Sequence, residues 1–362
     1  MKIGILTYYG VHNHGAVLQA NALKTVLEEE GNSVEFLTFK RNYDCIHSQN
    51  EKKYNISLAS TKFYFNYLLK NGIFNILYNI KKRNTLSDYR KKNIFLGQRY
   101  SDYQGDAVVI GSDEVFSFEV GINPFFFGHG LKVPKIISYA GCFGPTTAED
   151  LKKNNLVGLV SSGLEQMNQV GVRDENSQSI ANALGSKPAV LVCDPVILYG
   201  YKQEQNIHVP VKEKYILVYA YDRNMNDEAE VAAIKKYAAD KELKVYSVGY
   251  YHKWCHKNIN VTPNELLGYV KNAEMVITDT FHGAVLSIVC NTQFVVRLRE
   301  NSNKLGFLLK EYGLESRIMD TFDNLPQITR DPIDFLKVNL IVEEKRRLSM
   351  NYLRSSLTEK EL

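Results

Sequence analysis

Paired cysteines and long uncharged apolar runs are both missing from this chain, and it has one tryptophan in 362 residues. Cys45, Cys142, Cys193, Cys255 and Cys290 are scattered, odd in number and form no C-x-x-C. That pattern argues against a disulfide framework and against a structural zinc site. No apolar stretch reaches the length that spans a bilayer. Met1 leads directly into a strand-like run rather than a secretory leader, so the expected location is the cytoplasm, including the inner face of the cell membrane. Excess charge is missing too. The 44 Lys and Arg against 40 Asp and Glu leave +4, mildly favourable to anions but too little for a nucleic-acid binder.

What is present suits a soluble globular protein, with 44% hydrophobic and 23% charged residues. The length calls for two domains. Lys2 to Thr7 reads as a strand and Tyr8 to Gly15 as a polar loop. Ala16 to Glu30 follows as a helix, with Leu18, Ala22, Val26 and Leu27 at helical spacing and Gly31 as C-cap. Val34 to Phe39 completes a βαβ unit, in which anions settle at a helix N-terminus. The loop lacks G-x-G-x-x-G, so dinucleotide binding is not indicated. Residues 41–100, rich in Tyr, Phe, Asn and Lys, read as a helical insertion without a strand.

Further strands are expected at Ala107 to Ile110, Lys135 to Ala140, Gln169 to Val172 and Ala189 to Val192, with a linker at Gly200 to Val211. A second series follows, with strands Tyr215 to Ala220, Lys244 to Val248, Met275 to Thr278 and Phe294 to Leu298. Helices are expected around 226–240, 263–272, 283–290 and 303–312. The expectation is an α/β protein of two Rossmann-like domains facing a cleft (GT-B-like), with parallel sheets flanked by helices. The domains would span 1–205 and 206–330, with a helical segment 331–362 packing back on the first.

Chemistry-bearing residues gather at the expected strand ends. His282 follows a strand and opens a helix, where an acid–base group would meet an anion; it would otherwise cap that helix or satisfy a carbonyl. Arg173 offers a bidentate fork for carboxylate or phosphate, or a salt bridge to Asp174 or Glu175. Asp113 and Glu114, after Gly111 and Ser112, would accept sugar hydroxyls or cap the turn. Asp279 would orient His282 or cap its helix. His12, Asn13, His14 and Gly15, with Gln19 a turn later, suit an anion or acceptor contact better than a metal. His252 and His256 read as a surface or substrate loop. The cluster Lys81, Lys82, Arg83, Arg90, Lys91 and Lys92 reads as a solvated helical face, or as contact with an anionic membrane.

The ordered set Asn13 to Ala20, Gly111 to Phe116, Ile137 to Gly141, Val172 to Ser177, Asp194-Pro195 and Thr278 to Gly283 resembles the polysaccharide pyruvyl transferase family. The resemblance implies transfer of the enolpyruvyl carbons of phosphoenolpyruvate onto two sugar hydroxyls, releasing phosphate. The acceptor would be a saccharide on a nucleotide or lipid carrier, a precursor of cell-surface polysaccharide. It implies His282 and Asp113 as catalytic, and Arg173, Gly283 and Lys304 as donor-binding. Asn13, His14, Gly15, Gln19, Ser112, Glu114, Asp279 and Thr280 would meet the acceptor. No metal and no cofactor is expected, phosphoenolpyruvate being a substrate. One position departs: where members commonly carry Arg-Leu-His, this chain has Thr280-Phe281-His282. A nucleotide-sugar glycosyltransferase and a non-catalytic glycan- or nucleotide-binding relative are the competing readings.

Overall fold

The computed structural model describes residues 1–40, 60–118, 122–299 and 303–358, the side chains of 60–71 excepted. Its first half alternates strands and helices: β1 (Lys2–Leu6), α1 (His14–Glu29), β2 (Ser33–Thr38), α2 (Ser60–Asn93), β3 (Leu96–Arg99), β4 (Ala107–Ile110) and β5 (Lys135–Gly141). Then come α3 (Ala148–Lys153), α4 (Val157–Gln166), β6 (Gln169–Val172), α5 (Glu175–Leu184), β7 (Val190–Leu191) and α6 (Pro195–Tyr199). The strands form one parallel sheet in the order β3-β2-β1-β4-β5-β6-β7. Central strands carry unbroken apolar runs because helices cover both faces; all four residues of β4 are buried.

A second sheet uses β8 (Tyr215–Tyr219), β9 (Lys244–Val248), β10 (Lys257–Ile259), β11 (Met275–Thr278), β12 (Phe294–Arg297) and β13 (Ile318–Met319). It too is parallel, in the order β10-β9-β8-β11-β12-β13. Its helices are α7 (Glu228–Asp240), α8 (Pro263–Lys271), α9 (Phe281–Cys290), α10 (Asn303–Glu311) and α11 (Leu325–Ile328), and the chain closes with α12 (Phe335–Thr358). Two Rossmann-like domains thus face one another in the GT-B arrangement. α12 returns to the first sheet, where Tyr352 Oη donates to Ser138 O (2.8 Å) and Cys193 N donates to Ser349 Oγ (2.9 Å).

Some elements depart from the sequence expectation. β3 lies inside the span read as purely helical; residues 41–59 of that span, Cys45 among them, are outside the described residues. β10 and β13 are short edge strands, three and two residues long, with too little pattern to be read. α1 begins at His14, two residues early, because Asn13 Oδ1 caps it by accepting from the amides of Gly15 (2.9 Å) and Ala16 (3.3 Å). The basic cluster is not one solvated face. Lys82 is buried with its ammonium 3.9 Å from the Tyr250 ring centroid, and Arg90 donates to Val11 O at 2.5 Å. Periodicity on α2 places these two on the inward stripe.

Candidate active site

The strand order reverses between β1 and β4 in one sheet and between β8 and β11 in the other, where crevices open at the C-terminal strand ends. These crevices meet in a cleft of about 400 Å³, lined from the first domain by Asn13, Asp113 and Glu114 and from the second by Tyr221, Thr280 and His282. The turn after β4 presents Asp113, which takes a positive φ of 84°. The end of β11 passes through Asp279 and Thr280 into α9, so that helix directs its N-terminus at the cleft.

His282 is buried, and its Nε2 has no hydrogen-bond partner among the described residues. Burial pushes its pKa down to about 4; Arg173 and Lys304 push the same way, against Asp194 and Glu114. It is therefore a neutral imidazole near pH 7 in the wall of the cleft, with Nε2 buried and unpartnered among the described residues. Gly15 makes room for it: a Cβ there would fall 2.2 Å from His282 Cγ. The first turn of α1 thus seats the imidazole of the other domain.

Arg173 leaves the end of β6 and is also buried. It does not pair with Asp174 or Glu175, as local spacing suggested. Its guanidinium donates to Asp194 (3.0 Å), lies 3.6 Å from Asp113 and stands 4.4 Å from the Phe281 ring centroid. Asp174 instead caps α5, accepting from the Ser177 amide at 2.8 Å. Lys304, at the start of α10, donates to Glu114 at 2.5 Å across the domain gap. Burial is the largest influence and works against its charge, as does Arg173, but Glu114 together with Cys142 and Asp113 brings the ammonium up to about 12. Its Nζ lies 5.7 Å from the Phe281 ring centroid, so Phe281 is flanked by two cations.

Other expected site residues have their polar groups engaged within the protein, Asp279 and Thr280 in the cleft wall and the rest away from it. His14 is fully buried away from the cleft lining, with Nε2 2.9 Å from Val261 O of the second domain. Gln19 and Ser112 are fully buried and bond each other, Ser112 Oγ donating to Gln19 Oε1 at 2.9 Å; the same oxygen lies 3.4 Å from Arg173. They support the Arg173 platform rather than face a ligand. Gly283 gives its amide to Thr280 Oγ1 (2.9 Å), so that N–H is committed to the helix cap and not to a donor anion. A Cβ on Gly283 would fall 2.0 Å from Thr278 Oγ1. Thr278 Oγ1 donates to Tyr219 O, so the Thr280 hydroxyl donates to Thr278 and is also used internally. Asp279 neither orients His282 nor caps α9: it accepts from Asn224 Nδ2 (2.6 Å) and lies 3.5 Å from Arg299 Nε.

The sequence reading missed Tyr221, Asn224 and Arg299 as cleft residues and Asp194 as the buried partner of Arg173. Asp194 stood in a recognisable Asp-Pro pair, a signal for a helix start: it caps α6, accepting from the Val196 amide at 2.9 Å, with Pro195 at the first helical position. Arg299, just past β12, pairs bidentately with Glu230 (2.8 and 3.1 Å). Asn224 and Arg299 come from loops with no local pattern. His252 is a buried strut: its Nε2 lies 3.2 Å from Asn224 O, while His256 Nδ1 accepts from Val245 N. Among the described residues no cluster of three His, Cys, Asp or Glu suits a metal, and no helix is long and apolar enough to cross a membrane.

The architecture resembles solved sugar-nucleotide enzymes. UDP-GlcNAc 2-epimerase of Methanocaldococcus jannaschii, solved with UDP-GlcNAc and UDP, aligns at a TM-score of 0.51 with 12% identity, over 98% of this chain and 99% of that one. MnaA of S. aureus, solved with UDP, aligns at 0.51 with 12% identity, over 99% and 98%. At such identity the likeness is one of fold. No curated protein matches the chain. The family model for polysaccharide pyruvyl transferase matches residues 13–300, from the cap of α1 through Arg173 and His282 to the end of β12, and the chain therefore belongs to that family.

Proposed function

We propose that this protein transfers the pyruvyl unit of phosphoenolpyruvate to a saccharide as a ketal, with His282 as the acid–base residue. The observation that carries the reading is a neutral imidazole in the cleft wall, its buried Nε2 unpartnered among the described residues, with the cations of Arg173 and Lys304 close by. Arg173 and Lys304 would hold the carboxylate and phosphate, the planar fork of Arg173 suiting a bidentate carboxylate. Thr280, with its hydroxyl spent on the α9 cap, leaves that task to them.

In the reaction the methylene carbon gains a proton and C2 becomes electrophilic. Two sugar hydroxyls attack C2 in turn, each losing its proton, and the C2–O bond to phosphate breaks, releasing inorganic phosphate. His282, neutral at rest, takes the proton of the first attacking hydroxyl and delivers that proton to the methylene carbon as the C2–O bond forms. An anionic donor beside it offsets Arg173 and Lys304 and lifts its pKa toward the working range. Asp113, 3.6 Å from Arg173, would receive the other hydroxyl proton and pass it to the departing phosphate, which restores the carboxylate. The saccharide would sit against Asn13, Glu114 and Tyr221, and its carrier would be a nucleotide or a lipid.

The test is phosphate release from phosphoenolpyruvate with a saccharide acceptor. His282→Ala is expected to lower kcat by about 100-fold or more, the usual share of a positioned acid–base group, while the fold stays intact. A fully active variant overturns the role. A second reading, nucleotide-sugar transfer, is favoured by Thr280 in place of Arg and by the UDP held in the similarly folded epimerase. Thermal stabilisation by UDP-sugars but not by phosphoenolpyruvate would select it.

A further inference from the structure

Four large apolar side chains lie open to solvent along one face of α2. Ile73, Phe74, Leu77 and Ile80 are 53, 71, 55 and 52% exposed. Their spacing of one, three and three residues puts them on one stripe of the helix. The reverse stripe is fixed in the protein. Tyr78 Oη donates to Ile259 O (2.8 Å), Lys82 stacks on Tyr250, and Tyr89 Oη donates to Asn264 Oδ1 (2.6 Å). The helical path breaks at Gly72 (φ 76°, ψ 158°), immediately before the exposed stripe begins.

Positive charge continues where the apolar residues stop. Lys81, Lys91 and Lys92 are exposed and lie within about 60° of Leu77 around the axis. The acid on that face, Asp88, is 3.3 Å from Lys91. Lysine is depleted from protein–protein interfaces, whereas apolar residues followed by lysines are what a helix lying at an anionic lipid surface requires.

We propose that α2 docks this protein on an anionic bilayer. Ile73, Phe74, Leu77 and Ile80 enter the headgroup boundary, and Lys81, Lys91 and Lys92 meet the phosphates. Tyr250, which Lys82 touches from the reverse of the helix, lines the cleft. Docking therefore sets the cleft beside the membrane surface, within reach of a saccharide on a lipid carrier. The docking does not depend on the reaction proposed above, and its test uses no substrate.

The experiment is flotation of the full chain with vesicles of phosphatidylcholine alone and of phosphatidylcholine with phosphatidylglycerol. The protein is expected to float with the mixed vesicles, less so as salt rises, and weakly with phosphatidylcholine alone. The Phe74→Asp/Leu77→Asp variant should stay at the bottom with an unchanged thermal midpoint. Neutralising Lys81 or Lys92 to Gln should weaken binding about fivefold each. The proposal is overturned if the wild type fails to float with the mixed vesicles, or if the double aspartate variant floats equally well. It also fails if that variant instead converts a dimer to a monomer in sedimentation, which would make the stripe an interface between copies.

Discussion

Gly15 and His282 meet across the two domains so closely that a single added methyl on Gly15 would overlap the base of the imidazole. The ideal Cβ position lies 2.2 Å from His282 Cγ and 2.5 Å from its Cβ. Gly15→Ala is expected to displace His282, costing about 1–3 kcal/mol by overpacking and most of the activity. A double-mutant cycle checks it by urea unfolding. In a His282→Gly background, where the three clashing atoms Cβ, Cγ and Nδ1 are gone, Gly15→Ala should cost markedly less. Equal cost in both backgrounds would refute the relationship.

The Arg173–Asp194 pair is buried on both sides, so removing one partner strands the other. Asp194→Ala should destabilise the protein by about 3–5 kcal/mol, measured as a lower urea midpoint. Arg173→Lys keeps the charge but not the fork, and should lose phosphoenolpyruvate binding more than stability.

Lys304 keeps 26% of its side chain exposed and touches Glu114 rather than the core. Lys304→Ala should leave the thermal midpoint nearly unchanged and raise KM for the anionic donor about tenfold or more, the cost of one charge-assisted contact. A midpoint shift without a KM effect would make it a domain strut instead.

Two buried histidines predict an acid-labile fold. Burial holds the pKa of His282 at about 4 and that of His14 at about 3, both below the unfolded value near 6.5. Above that value neither state binds the proton, so neither group affects stability. Below it the unfolded chain takes up protons that the native state refuses, and stability falls until the pH reaches the native pKa. Between pH 6.5 and 5 each should cost roughly 2 kcal/mol. Urea melts at pH 7.5 and 5.0 should show a smaller loss for His14→Gln than for the wild type.

Thr280 caps α9, and its loss should cost about 1 kcal/mol. Gly283→Ala, which forces a Cβ to 2.0 Å from Thr278 Oγ1, should cost more. Thermal midpoints of the two variants give the order directly.

The β-strands of both sheet centres were readable from the residues alone, because a parallel strand covered on both faces must be apolar throughout, as in Ala107–Ile110 and Met275–Thr278. The ends of those strands named much of the cleft wall, since the chain there turns through polar residues: Asp113, Glu114, Thr280 and His282 line it, and Arg173 lies buried beside Asp113 and Phe281. Sequence could not tell which of these would point outward. His14 and His282 look equally chemical in a loop, and each leaves one ring nitrogen without a partner among the described residues, yet only His282 lines the cleft while His14 sets Nε2 against Val261 O. Glu114 and Lys304 are 190 residues apart, and Arg173 and Asp194 belong to different βα units. The first pairing joins the two domains and the second joins two strand ends of one sheet, both long-range relations with no local periodicity. The same holds for α2, whose composition shows aromatics and lysines. Only its docking against Ile259 and Tyr250 decided which stripe is buried and which meets solvent.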